Sequence, residues 1–167
     1  TPKNGLMKAL LCNGAADVGN NGPDYSYGFG WMNLLRSVKM LENNNYINDS
    51  IINGAIKTHS ITIPANTAQL KVMLYWNDPA SAMISSQSLV NDLDLEVVSP
   101  SSLITLPYIL DTIPANTNKV ATNGVDHVNN IEQVVIVDPS PGVYTVRVKG
   151  TAVTQNPRQE YFLVYDT

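Results

Sequence analysis

The segment Val90-Asn91-Asp92-Leu93-Asp94-Leu95-Glu96-Val97 decides the fold that the sequence predicts. In a β-strand, alternate side chains point to opposite faces. One face of this segment is apolar and can fill a core, and it carries Leu93, Leu95 and Val97. The other face carries carboxylates about 7 Å apart along the strand, those of Asp92, Asp94 and Glu96. Like charges this close repel, so water, turn donors or a cation must offset them.

Similar short runs continue from about residue 51 to the end of the chain. They are separated by turn sequences rich in Pro, Asn, Asp and Ser, without helical periodicity between them. About eight strands of this kind predict an antiparallel jelly roll or β-sandwich. The predicted strands are Ile51–Lys57, His59–Ile63, Gln69–Trp76, Asp92–Val98, Ile104–Ile109, Gln133–Val137, Tyr144–Lys149 and Tyr161–Tyr165.

The first forty residues have a helical period instead. Apolar residues at helical spacing predict a first helix from about Lys3 to Asn13, with Pro2 at its start and Gly14 at its end. Cys12 lies beside its apolar face, so we expect a buried thiol. A turn-rich loop from Asp17 to Gly30 follows.

A second helix is predicted after this loop. Its apolar stripe is Trp31, Leu34, Val38 and Leu41, with Met32 and Leu35 beside it. Two such helices cannot enclose a core, so we expect them to pack against the β-domain, against a second copy, or to leave an apolar face exposed. Residues 43–49 are rich in Asn and are predicted to be a linker.

The helical part resembles the end of the catalytic domain of subtilisin-like serine proteases (subtilases, peptidase S8 family). The matching blocks are Leu6-Met7-Lys8-Ala9-Leu10-Leu11, Asn13-Gly14-Ala15 and Pro23-Asp24-Tyr25-Ser26-Tyr27-Gly28-Phe29-Gly30-Trp31-Met32-Asn33. In that family the Tyr-Gly-x-Gly-x-x-Asn turn leads into the last helix of the catalytic domain. Its glycines allow tight backbone turns between packed helices.

The β-part resembles the C-terminal β-barrel domain of one branch of bacterial subtilases, a jelly roll related in architecture to the P-domain of kexin-like proprotein convertases. The four matching blocks keep their order and spacing, and they are Gln69-Leu70-Lys71-Val72-Met73-Leu74-Tyr75-Trp76-Asn77-Asp78-Pro79, Leu89-Val90-Asn91-Asp92-Leu93-Asp94-Leu95, Asn129-Asn130-Ile131-Glu132-Gln133-Val134 and Pro141-Gly142-Val143-Tyr144-Thr145-Val146-Arg147-Val148.

The resemblance implies a mainly β chain with two parts. Residues 1–42 would be the last two helices of an incomplete α/β catalytic domain, and residues 43–167 a P-domain-like jelly roll. The parent would be a secreted serine endopeptidase that acts on protein or peptide substrates. The chain opens on Thr-Pro-Lys-Asn-Gly without a visible signal peptide, so we expect its start to be a cut. Its main partner would be the missing catalytic domain, which the β-domain stabilises or regulates.

No catalytic residue of the parent is identified in this chain. The family's nucleophile lies upstream in a Gly-Thr-Ser segment, and the sequence contains no such segment. A catalytic triad of Ser60, His127 and Asp126 is an alternative, because the members of a triad need to be close in the fold and not in the sequence. Ordinary surface roles explain these three residues better, so we expect the chain alone to be inert as a protease.

Polar residues near the ends of three predicted strands suggest a calcium site. Carboxylate and amide oxygens are ligands that calcium prefers, and some subtilase β-barrel domains carry calcium. The candidate ligands are Asp78, Asn91, Asp92, Asp94, Asp126 and Glu132. The alternatives are bonds to turn amides, a cross-strand pair of Glu132 with Arg147 or Lys149, and contact with the missing protease core.

The composition of the chain argues against some classes of binding partner. The formal charge is −4 and the basic residues are scattered, which argues against nucleic acid and anionic membranes as partners. No apolar run approaches the roughly 20 residues of a membrane span. A different class of function remains, a carbohydrate- or protein-binding module using Trp76 or Tyr108, although aromatic residues at strand positions more often pack in a core.

Overall fold

The computed structural model describes residues 3–167, so the helix start predicted at Pro2 lies outside the described residues. Two helices precede the strands: α1 (Asn4–Gly14) and α2 (Leu34–Glu42). A 3-10 turn lies at Pro114–Asn116. The strands of the described chain are β1 (Tyr46–Ile51), β2 (Ile56–Ile63), β3 (Gln69–Tyr75), β4 (Asp92–Val98), β5 (Ile104–Thr105), β6 (Tyr108–Ile109), β7 (Thr122–Asn123), β8 (Ile131–Val137), β9 (Gly142–Ala152) and β10 (Gln159–Asp166).

The strands form two antiparallel sheets and a short ladder. Sheet one has the order β1-β10-β3-β8 and sheet two the order β2-β9-β4-β5, while β6 pairs with β7 separately. If the eight strands of the two sheets are counted along the chain, the orders are 1-8-3-6 and 2-7-4-5. This is the strand order of a jelly roll. The predicted fold class is confirmed as a β-sandwich, and across residues 3–167 the sheets do not close into one barrel.

The main core lies between the two sheets. The alternation read in the opening segment is confirmed, because Leu93, Leu95 and Val97 of β4 are completely buried while the intervening acids are not. They share this core with Leu70, Val72 and Leu74 of β3. Burying such side chains stabilises the fold by about 1.5–3 kcal/mol each.

A second, smaller core lies between the helices and the outer face of sheet one. Leu6, Ala9 and Leu10 of α1 pack on side chains of β3 and β10, namely Met73, Tyr75, Phe162 and Val164. The close approach depends on Gly5, since a Cβ there would lie 2.4 Å from the Phe162 ring. The helix ends at Gly14, as predicted, and Cys12 is half-buried, with burial raising the pKa of its thiol.

Helix α2 presents a different face from the predicted one. It begins at Leu34, where the side chain of Asn33 accepts a hydrogen bond from the Arg36 N–H at 3.1 Å. Ser37 and Met40 face inward, and the small Ser37 side chain donates to the Leu10 carbonyl at 3.0 Å. The predicted stripe was therefore wrong in orientation: its members Trp31, Leu34 and Val38 are exposed.

The linker prediction and two strand predictions were wrong at their boundaries. The predicted linker contains most of β1, which pairs with β10 from Tyr46 onward. The predicted strand Ile51–Lys57 contains the turn between β1 and β2, where Gly54 has a φ of +72°. The predicted strand Ile104–Ile109 is two short strands in different ladders.

Neither described helix is long and apolar enough to cross a membrane.

Candidate metal centre

The acidic face of β4 lies beside an open strand edge. In the described chain β5 pairs with β4 only at Val97 and Val98, so the preceding residues lack a neighbouring strand on that side. Glu132 fills this place. It lies opposite Leu74 on the core-facing side of β8, and its Oε2 accepts a hydrogen bond from the Leu95 N–H at 2.7 Å.

His127 reaches the same region from the loop before β8. Its Nδ1 lies 2.7 Å from Asp92 Oδ2 and 3.9 Å from Asp94 Oδ1. One donor atom from each of these three residues lies within 4.8 Å of the other two. The imidazole is more than half exposed, whereas both carboxylates are largely buried. The other oxygen of Asp94 accepts a hydrogen bond from the Thr151 hydroxyl.

Three carboxylate oxygens in this region are buried without a hydrogen-bond partner in the described chain. They are Asp92 Oδ1, Asp94 Oδ1 and Glu132 Oε1. An unsatisfied buried acceptor costs about 1–3 kcal/mol, and more when it is charged. In native proteins such groups usually have a partner, which can be an ordered water or an ion.

The electrostatics of the cluster show a shortage of positive charge. Burial raises the pKa of Glu132 well above its ordinary value, and the charges of Asp94, Asp126 and Asp92 raise it further, against the Leu95 N–H, which lowers it. Burial also raises the pKa of Asp92, although the neighbouring His127 opposes this shift. A bound cation would stabilise the ionised form of both carboxyls.

Asp78 and Asn91, two of the predicted ligands, form hydrogen bonds that connect loops. The Asp78 carboxylate accepts hydrogen bonds from the Val90 and Asn91 N–H groups, both at 2.8 Å. The Asn91 side chain accepts from the N–H groups of Thr154 and Gln155 and donates to acceptors on Gln155 and Gln159. These contacts match the alternative of bonding to turn amides.

Asp126 also bonds loop amides. Its carboxylate accepts from the Val128 N–H at 2.8 Å and from the Asn129 N–H at 3.1 Å. The alternative that paired Glu132 with Arg147 or Lys149 was wrong, because Glu132 points into the sandwich. Glu96 on the outer face of β4 forms those ion pairs.

Of the six predicted ligands, Asp92 and Asp94 lie within one donor group with His127, and Glu132 and Asp126 lie near enough for their charges to interact. The orphaned oxygens of Asp92, Asp94 and Glu132 fit a cation, but calcium takes 6–8 oxygen ligands and the fourth group here is an imidazole. Calcium binding stays a prediction. His127 was missed as a site residue because nothing in its local sequence marks it as a ligand.

The hypothetical Ser60–His127–Asp126 triad is not assembled among the described residues. His127 bonds Asp92, and Asp126 bonds backbone amides. The other histidine, His59, lies with Nε2 2.8 Å from the Tyr161 hydroxyl.

Trp76 is completely buried, and its indole N–H donates to the Asn91 carbonyl at 2.8 Å. It packs in the core and cannot be a binding platform. Tyr108, the other aromatic residue considered for ligand binding, is half-buried beside Gly22.

Comparisons with known proteins give one sequence relative. The chain is 31% identical over 178 aligned residues to the "Serine protease/ABC transporter B family protein tagA" of Dictyostelium discoideum. The match covers 99% of this chain and 10% of that protein, so the chain spans about a tenth of the relative's length. No protein-family model matches the chain.

Comparison with solved structures gives only similarities of low score. The propeptide form of the Bacillus licheniformis lipase BlEst2 has a TM-score of 0.42 and 8% identity, covering 72% of this chain and 21% of that one. PliG of Aeromonas hydrophila, a periplasmic inhibitor of g-type lysozyme, has a TM-score of 0.38 and 13% identity. The match covers 72% of this chain and 82% of PliG. Neither similarity is strong enough to support an inference about function.

Proposed function

We propose that this chain is the C-terminal part of a secreted subtilisin-like serine endopeptidase. In this proposal residues 1–42 complete the catalytic domain, and the jelly roll of residues 43–167 stabilises or regulates it. The catalytic Ser, His and Asp belong to the upstream portion, where the Ser attacks the peptide carbonyl, the His transfers the proton and the Asp orients the His. The chain alone hydrolyses no peptide bond.

The observation that carries the proposal is an uncovered apolar surface on the second helix. We call it the α2 outer face, and it consists of Trp31, Met32, Leu34, Leu35 and Val38. These side chains are 47–69% exposed. Trp31 and Met32 lie just before the helix, and the other three lie on its first turns. Several exposed large apolar side chains close together in the sequence indicate an interaction site. The opposite side of the same helix is already buried against α1 and β10.

We infer that the rest of a protease domain covers the α2 outer face. The sequence relative carries a serine protease name and is about ten times as long as this chain. The α2 outer face lies within the first forty residues, on the part of the chain that resembles the end of a catalytic domain. A catalytic domain that covers this face would be joined to the jelly roll through the small helical core.

The test uses a double substitution, Leu35→Glu with Val38→Glu, in this chain and in the full-length product of its gene. In the isolated chain both side chains are exposed, so the free energy of unfolding should change by less than about 0.5 kcal/mol per site. In the full-length product the same change should lower the temperature at which proteolytic activity is lost. Ile56→Glu, at an exposed apolar position on β2, is the control and should leave that temperature unchanged.

Equal effects of the double substitution and the control on the full-length product would contradict docking through α2. Proteolysis by the purified 167-residue chain that a serine-directed inhibitor abolishes would contradict the assignment of the catalytic residues to the upstream portion.

A further inference from the structure

We propose that Asp92, Asp94 and His127, with Glu132 behind them, form a binding site for one divalent transition-metal ion of the zinc type. This inference concerns the jelly roll itself and does not depend on the protease proposal. It also differs from the calcium site predicted from the sequence, both in the ligands and in the kind of metal.

The donor atoms favour a transition metal. The cluster offers one imidazole nitrogen and two carboxylate oxygens at mutual distances below 4.8 Å. Imidazole and carboxylate together suit zinc and related divalent ions, whereas calcium is bound by oxygen ligands alone. Three protein ligands would leave a fourth position for water, as in open zinc sites.

The spacing requires only a small adjustment. Ligands bound to zinc at about 2.0–2.2 Å in tetrahedral geometry lie roughly 3.4 Å from one another. The distances from His127 Nδ1 to the two carboxylates are 2.7 and 3.9 Å, on either side of that value. The two aspartates lie on β4, which is paired with β9, so the adjustment would fall mainly on the exposed side chain of His127, which lies in a loop.

Glu132 provides the independent observation that points to a cation. It is 1% exposed, and its Oε1 has no hydrogen-bond partner in residues 3–167. Its Oε2 is held by the N–H of Leu95, the residue after Asp94, so the carboxyl group lies at the same strand edge as the cluster. A cation bound by Asp94 would lie near this buried carboxyl group and would be stabilised by its negative charge.

A simple ion pair between His127 and Asp92 does not account for the whole arrangement. One imidazolium would bring a single positive charge to three carboxylates. It would leave the orphaned oxygens of Asp94 and Glu132 without a partner. A divalent ion held by Asp92, Asp94 and His127 would supply twice that charge.

Calorimetric titration of the chelator-treated 167-residue chain tests the proposal, with zinc, manganese and calcium salts as separate probes at neutral pH. We expect one zinc site per chain and much weaker calcium binding. His127→Ala should reduce zinc affinity at least tenfold, because it removes a ligand. Glu132→Gln should reduce it about 10- to 100-fold, the usual effect of losing a group that supports the ligands.

His59→Gln is the matched control because it removes the only other imidazole, and it should leave zinc affinity unchanged. Since His127 is exposed, His127→Ala should fold normally and decides the test even if Glu132→Gln does not fold. Unchanged zinc affinity in His127→Ala would overturn the proposal, and so would a native chain that binds no zinc. Tight calcium binding with little zinc binding would also overturn it, in favour of the oxygen-only site.

Discussion

Glu132 on β8 accepts a hydrogen bond from the backbone N–H of Leu95 on β4, with 2.7 Å between Oε2 and N. The bond links an edge strand of one sheet to an open edge of the other. A buried carboxylate here takes the place of a neighbouring strand, because β5 is too short to cover this part of β4. The interaction satisfies the Leu95 N–H but places a charge beside Asp92 and Asp94.

Without metal, that charge should destabilise the fold at high pH. We predict that Glu132→Gln raises the free energy of unfolding at pH 8 by about 1 kcal/mol, as measured by urea unfolding in the presence of a chelator. The Gln carbonyl can still accept from Leu95, and its amide group removes a negative charge from the carboxylate cluster. Glu96→Gln is the control. It breaks half-exposed ion pairs with Arg147 and Lys149 and should lower stability by about 0–1 kcal/mol. A Glu132→Gln chain less stable than the native chain under these conditions would contradict the prediction.

The pH dependence of this difference follows from the direction of the Glu132 pKa shift. The folded-state pKa is raised, so the native state holds its proton more tightly than the unfolded state. The resulting stabilisation is complete below the unfolded pKa of about 4.3 and is lost as the pH rises through the raised folded pKa. The advantage of Glu132→Gln should therefore be small near pH 5 and should grow toward pH 8, in urea unfolding with chelator. An advantage that stays constant over this range would show that Glu132 does not titrate as described.

Much of the β-sandwich could be predicted because strands such as β4 and β9 alternate between buried and more exposed residues. The apolar positions Leu93, Leu95 and Val97 share one face by geometry alone, and the structure buries all three. Strand β1 was missed because polar residues interrupt the apolar pattern of a strand in its sequence, which is Tyr46-Ile47-Asn48-Asp49-Ser50-Ile51. Most of its residues are half-buried in the structure. Its place is set by pairing with β10 more than a hundred residues later, which local patterns do not record. The orientation of α2 was missed for a related reason, since the inward face of this helix is formed by the small Ser37 and by Met40 and not by the stripe of larger apolar residues.

The candidate site could be predicted only in part. Asp92 and Asp94 were found because strand alternation places them together. Glu132 was named as a ligand, but the predicted strand began at Gln133, two residues after the start of β8 at Ile131. If the predicted strand had begun at Ile131, Glu132 would have alternated with Val134 on the same face. That pattern would have indicated an inward-facing carboxylate. His127 is separated from Asp94 by more than thirty residues that include β5, β6 and β7, so only the folded chain reveals their proximity.

The buried indole of Trp76 gives a third prediction, for the core. Trp76→Phe removes the donor to the Asn91 carbonyl and leaves a small void. The free energy of unfolding should fall by about 1–3 kcal/mol, measured by urea unfolding. Trp31→Phe is the matched control, because Trp31 is exposed and its replacement should change stability by less than about 0.5 kcal/mol. Equal effects of the two substitutions would mean that Trp76 is not in the core.

The packing of α1 on sheet one gives the last prediction, in which two physical effects have opposite signs. In a free helix Gly→Ala is stabilising by about 0.8–1.0 kcal/mol. In this structure, however, a Cβ at Gly5 would lie 2.4 and 2.6 Å from two carbons of the Phe162 ring, closer than packed atoms can approach. We expect the steric clash with the ring to outweigh the gain in helix propensity. Gly5→Ala should therefore lower the free energy of unfolding by about 1–3 kcal/mol.

A double-mutant cycle identifies the cause of that loss. Phe162→Leu removes the ring that the new methyl group would meet, so Gly5→Ala should cost less in the Phe162→Leu chain than in the native chain. Urea unfolding of the four chains gives the coupling energy between the two positions. If Gly5→Ala instead stabilises the native chain, helix propensity outweighs the contact, and α1 does not approach β10 as closely as the structure places it.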